Sequence, residues 1–267
     1  MYSDLLRLTV AVYGLAAAAQ LGSLYRSRWR TAAFRLSMAA WFLHTVTVAT
    51  GVITMHRAPF YTTTEAMAFF LWLLMANYAV LDAVMGFAVL GVFVVPLGFL
   101  LMLAIAPGTD VTTGLWPGLR AAWVAGHVSI TVLSYVGFTV AFVASLMYLL
   151  AERDLKGKVF GTWFRRLPSL ELLDRLSLQA VSVAMPLFAL GLTMGTIWAR
   201  VVWGSFWNWQ PKETWSLVVF AVYAAYLWGR LRAKWGGTRG AWLNVAGFVT
   251  ICINVFIVNS LAGPHHF

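Results

Sequence analysis

Eight apolar runs, near residues 5–25, 33–54, 65–81, 84–106, 122–150, 178–199, 214–230 and 241–262, are each long enough to approach or cross about 30 Å of hydrocarbon as a helix. In lipid the backbone must satisfy its own polar groups, so such runs can only become helices. Composition agrees, with 61% hydrophobic and 10% charged residues, against roughly 45–50% apolar and 25% charged in soluble domains. The expected fold is all-α: a polytopic transmembrane helix bundle of about eight helices, forming a single integral membrane domain over 1–267. The first run has no basic residues ahead of it and arginines after it, which reads as a retained helix and not a cleaved signal.

An even number of crossings puts both termini on one side. Of the 19 Lys and Arg, five (Arg7, Arg57, Arg120, Arg200 and Lys212) fall on the side of the termini, and the remaining 14 (19 − 5) on the other. The positive-inside rule places the richer side in the cytoplasm and both termini outside. The net charge of +10 is therefore spent on orientation, and nucleic acid is excluded as a partner. The sole cysteine, Cys252, lies in an apolar run, which rules out an intrachain disulfide and a thiolate metal cluster. Residues 151–177 form the one sizeable cytoplasmic connection, where Pro168 is expected to open a short amphipathic surface helix over Arg166–Leu176. Glu171 and Asp174 read there as solvated ion-pair partners.

The segment 203–215, WGSFWNWQPKETW, mixes tryptophans with charge, which places it at a membrane boundary on the outer side. Four of the five histidines share that side: His56, His127, His265 and His266; His44 lies within the second run. Neutral imidazoles are good axial ligands for haem iron, and two from opposite faces make a six-coordinate site. His127 with one of the C-terminal pair has suitable depth. Trp203, Trp207, Trp209 and Trp215, with Phe206, offer flat apolar walls for a macrocycle. Lys212 and Arg200, then Arg57 or Arg120, offer charges for propionates. The bland alternatives are an interfacial aromatic belt, a helix-packing histidine at His127 or His44, a solvated loop at His56 and a polar tail at His265 and His266. Glu65 reads as a carboxylate favoured at a helix N-terminus, and Met185 and Met194 as core packing.

WGSFWNWQPKETW resembles the tryptophan-rich "WWD" segment, WGxxWxWDPKET, of the haem-handling proteins of cytochrome c biogenesis, above all the CcsA (ResC) type and more distantly CcmC and CcmF. APFYTTTEAM, VLGVFVVPLGFLL, WVAGHVSITVLSY, RLPSLELLDRL and VNSLAGPHHF are similar to further family segments, so the resemblance covers most of the chain. It implies a multi-pass plasma-membrane protein that holds haem b at the extracytoplasmic face, under the tryptophan segment and between two histidines, for attachment to the CxxCH thiols of apocytochrome c. His127 matches the first ligand; His265, or His266 in an ungapped alignment, matches the second. A CcsB (ResB)-like membrane subunit is the implied partner, and the pair would form a holocytochrome c synthetase.

Two positions depart from the pattern. Gln210 replaces the usual aspartate, and Trp228 stands where the family often carries an intramembrane histidine, which leaves His44 alone at membrane depth. These departures keep open a second reading, a HemX-like regulator or assembly factor that does not ligate iron.

Overall fold

A computed structural model describes residues 2–56, 63–105, 119–158 and 164–258, together with 59 and 161. Among these residues there is no strand, and each apolar run forms one α-helix. In chain order they are α1 (Tyr2–Ser23), α2 (Arg30–Met55), α3 (Thr63–Met85), α4 (Gly91–Ile105), α5 (Leu119–Lys156), α6 (Leu170–Trp203), α7 (Pro211–Leu231) and α8 (Thr238–Cys252). Six are long and apolar enough to cross a membrane: α1, α2, α3, α5, α6 and α8, the last counted with the π turn Ile253–Val258 that extends it. The exceptions have physical reasons. Fifteen residues make α4 only about 22 Å long, and α7 begins with Lys212 and Glu213 and ends with Arg230.

The chain divides into two compact units, Met1–Leu115 and Trp116–Phe267. In the first, α1 packs on α2 and α4, and α3 on α4. Lipid offers helices no hydrophobic reason to associate, so small residues and hydrogen bonds hold the α1–α2 seam. Its rungs are Thr9 Oγ1 with Thr47 Oγ1 at 2.8 Å, Tyr13 Oη with His44 Nδ1 at 3.2 Å, and Gln20 Nε2 donating to Ser37 Oγ at 3.0 Å. Trp41 Nε1 donates to the Trp72 carbonyl at 3.1 Å, and Trp72 Nε1 to Thr45 Oγ1 at 2.9 Å, joining α2 and α3 reciprocally. Glu65 occupies the first turn of α3, as expected, and is buried there.

In the second unit α5 and α6 form the most extensive helix pair. Small residues set its spacing: a methyl group at Gly137 would meet Ala184 Cβ at 2.8 Å, and one at Gly191 would meet Thr131 Oγ1 at 2.6 Å. Phe138, Val181, Phe188, Val219, Tyr223 and Tyr226 fill the core behind this pair. Phe138 stacks on Tyr223 at 3.8 Å between ring centroids, and Phe142 on Phe248 at 4.1 Å.

The expected separate surface helix over Arg166–Leu176 does not form. Ser169 caps α6 by accepting from Leu172 N at 3.3 Å, and the helix runs unbroken to Trp203. Nothing between Leu176 and the apolar run interrupts helical geometry, so the surface turns and the span become one rod of 34 residues. Asp174 also differs from its expectation as a solvated residue. Its carboxylate accepts from Arg230 Nη1 and Nη2 at 2.6 and 2.7 Å and from the Gly237 backbone N–H at 3.0 Å. Glu171, in contrast, pairs with Arg175 at 2.9 Å on the exposed side of α6.

Candidate functional site

His127 sits about two turns inside the start of α5, against the C-terminal half of α6. Its Nδ1 lies 2.9 Å from the Gly191 carbonyl oxygen. A carbonyl only accepts, so Nδ1 carries the proton, and in the neutral ring Nε2 keeps the free lone pair. The ring lies over Gly195, where a methyl group would be 3.1 Å from Cε1 and 3.8 Å from Nε2. Trp123 Nε1 donates to the Met194 carbonyl at 3.1 Å, and Thr131 Oγ1 to the His127 carbonyl at 2.8 Å. Gly191 and Gly195 thus form a seat on α6 that fixes the tautomer and plane of the imidazole. The sequence carried a signal for it, the small-xxx-small spacing of GLTMG.

The tryptophan segment joins α6 to α7. Gly204 closes α6 in the left-handed region at φ 75°, its N–H donating to the Arg200 carbonyl at 3.1 Å. The Arg200 guanidinium folds back on the Gly204 carbonyl and lies 5.6 Å from the centre of the Phe206 ring. Ser205 Oγ bonds both backbone groups of Trp207, donating to the carbonyl at 2.8 Å and accepting from the N–H at 3.3 Å. Trp209 has φ 56°, a left-handed conformation that is costly for a bulky side chain. It is held because the N–H groups on either side of it, from Asn208 and Gln210, converge on Glu213 Oε2 at 2.8 and 3.3 Å. One carboxylate thus shapes the loop that presents Trp209, which is 74% exposed.

Glu213 had no assigned role in the sequence reading, although Gln-Pro-Lys-Glu has the spacing of a capping box. Gln210 is the N-cap of α7 and completes that box, with Pro211 at the first helical position. The family's aspartate therefore falls at a helix cap, where a short carboxylate is favoured by geometry and by the helix dipole. Gln210→Asp is expected to stabilise the protein by about 1 kcal/mol, read as an upward shift of the unfolding midpoint in detergent. No gain would remove the capping account of this position.

The tryptophans divide. Trp207 and Trp209 meet edge to face at 6.1 Å, and the indole Nε1 of Trp207 is buried with no acceptor among the described residues. Trp203, at the end of α6, is partly exposed. Trp215 turns inward, and its Nε1 donates to the Thr250 carbonyl at 2.8 Å, pinning α7 to α8 just before the π turn. His127 packs against Gly191 and Gly195, the latter about 12 Å along α6 from Trp203, so the tryptophan segment and the histidine share one end of the unit. Asn254, in the π turn, donates to Tyr135 Oη at 3.3 Å.

The remaining candidates lie elsewhere or beyond the described residues. His44 is fully buried in the first unit with its ring edge-on to Tyr13, and its Nε2 has no hydrogen-bond partner among the described residues. His56 ends α2 in the left-handed region at φ 51° and is exposed. Arg120 is in the first turn of α5. Arg57, His265 and His266 lie outside the described residues. Among the described residues, no group of three or more His, Cys, Asp or Glu forms a metal cluster.

The chain matches the profile of the family described as Cytochrome C assembly protein over residues 60–265. It is 30% identical over 221 residues to the cytochrome c biogenesis protein CcsA of Guillardia theta, covering 76% of this chain and 73% of that one. The CcsA protein of Gloeobacter violaceus is 28% identical over 255 residues, covering 76% and 75%. That of Parasynechococcus marenigrum is 37% identical over 175 residues, covering 57% of each.

Proposed function

Since this chain belongs to the cytochrome c assembly protein family, we propose that it is the haem-handling subunit of a cytochrome c maturation system and that His127 is an axial ligand of the haem it presents. The observation that carries the ligand assignment is the Gly191 carbonyl on Nδ1, which leaves Nε2 as the ligating nitrogen. Metal-binding histidines characteristically hold their second nitrogen in such a bond. The second ligand is His265 or His266, as the family resemblance implies.

Haem b is the cargo, and its attachment to the thiols of apocytochrome c is the reaction served. The chain's own residues position and shield it. Trp207 and Trp209 cover a ring face, the buried Trp207 N–H and the Lys212 ammonium suit a propionate, and the loop held by Glu213 keeps these groups in place. The site faces the extracytoplasmic side of the plasma membrane, and a CcsB-like subunit completes the synthetase. Purified protein supplied with haem is expected to show the sharp visible bands of low-spin, six-coordinate iron on reduction. Protein that stays colourless would refute the haem-presenting role and leave the HemX-like one.

A further inference from the structure

At the end of the second unit away from the tryptophan segment, about 30 Å along α7, the ends of α5, α6, α7 and α8 meet. Two of the acids there, Asp174 and Glu152, are already engaged. Asp174 holds Arg230 and the Gly237 N–H, and Glu152 accepts from Thr238 Oγ1 at 2.6 Å and pairs with Lys156 at 3.0 Å. The turn from α7 to α8 then exposes Arg232, Lys234 and Arg239, with which no described carboxylate pairs.

The shape of this turn is fixed. Trp235 packs over Gly229, where no side chain would fit, and its N–H donates to the Gly229 carbonyl at 2.9 Å. Lys234 is held in the left-handed region at φ 55°. Trp228, 59% exposed, meets Trp235 edge to face at 5.9 Å. Three exposed cations and two indoles thus share one short turn at a helix end.

We propose that the α7–α8 turn binds the phosphate of an anionic phospholipid, with Arg232, Lys234 and Arg239 around the headgroup and the Trp228–Trp235 pair against the glycerol level. Cations alone would suit any phosphate. The exposed Trp228 indole beside them, backed by the half-buried Trp235, favours an amphiphile, because tryptophan settles at the boundary between headgroup and chain. Each cation near an anionic leaflet is worth about a fivefold gain in binding, so removing three should cost on the order of a hundredfold. This inference is independent of the haem assignment.

The test uses the full chain in nanodiscs of phosphatidylcholine with increasing phosphatidylglycerol, with retained lipid counted by native mass spectrometry and the thermal midpoint measured alongside. The comparison is Arg232→Gln/Lys234→Gln/Arg239→Gln, which leaves the Asp174–Arg230 pair intact. Wild type should retain phosphatidylglycerol over phosphatidylcholine and unfold later as its fraction rises. The triple variant should unfold like wild type in pure phosphatidylcholine but lose both responses. Equal retention of the two lipids, or an undiminished response in the triple variant, would overturn the proposal. Inorganic phosphate that reproduces the shift would also overturn it, by showing a simple anion site.

Discussion

Replacing His127 by glycine is expected to abolish the low-spin bands of the haem-loaded protein, and millimolar imidazole is expected to restore them. Glycine removes the ligand but leaves its space, so a free imidazole can enter and present a nitrogen to the iron. Failure of rescue, with wild type binding haem normally, would mean that His127 acts on the fold and not on the metal. A second variant isolates the orientation of the ring. Gly195→Val places branched bulk where even one methyl group would stand 3.1 Å from Cε1. Overpacking of this kind costs about 1–3 kcal/mol when it is absorbed by shifts, and the nearest group able to shift is the imidazole. The expected result is retained haem with a high-spin component. An unchanged spectrum would show that the α6 seat does not set the ligand geometry.

The helices were legible because lipid imposes one simple demand, an apolar run of sufficient length; all eight runs became helices and six of them met it in full. The junctions were less so. Glu171 and Asp174 are three residues apart on α6 and chemically alike, yet Glu171 is on an exposed face while Asp174 meets Arg230 from α7, 56 residues away. No local pattern predicts such a pairing, because it depends on which helix ends converge. The tryptophan segment was readable as a site from its residue types, but not its division of labour. Trp207 and Trp209 differ from Trp215 because Trp215 lies within α7 facing α8, while the other two lie in the loop shaped by Glu213. The imidazole seat was half visible, since GLTMG announces a close helix contact without naming the residue that fills it.

The largest stability effect is expected at Asp174. Asp174→Asn leaves the Arg230 side chain, 8% exposed, with an uncompensated charge; breaking a fully buried pair on one side costs about 3–5 kcal/mol, and with Asp174 26% exposed a loss of about 2–3 kcal/mol is expected. The amide keeps the shape and one acceptor, so the loss measures charge and bidentate geometry instead of packing. Glu171→Gln, on the same helix, removes an exposed i,i+4 pair worth about 0.3–0.5 kcal/mol. Unfolding in mixed micelles should therefore separate the two variants clearly, with Asp174→Asn far below wild type and Glu171→Gln close to it. The double variant Asp174→Asn/Arg230→Met should recover much of the loss, since removing both charges also removes the desolvation penalty. If it does not, the pair's worth lies in anchoring the Gly237 N–H and the α7–α8 turn, and that turn should then lose its preference for anionic lipid as well.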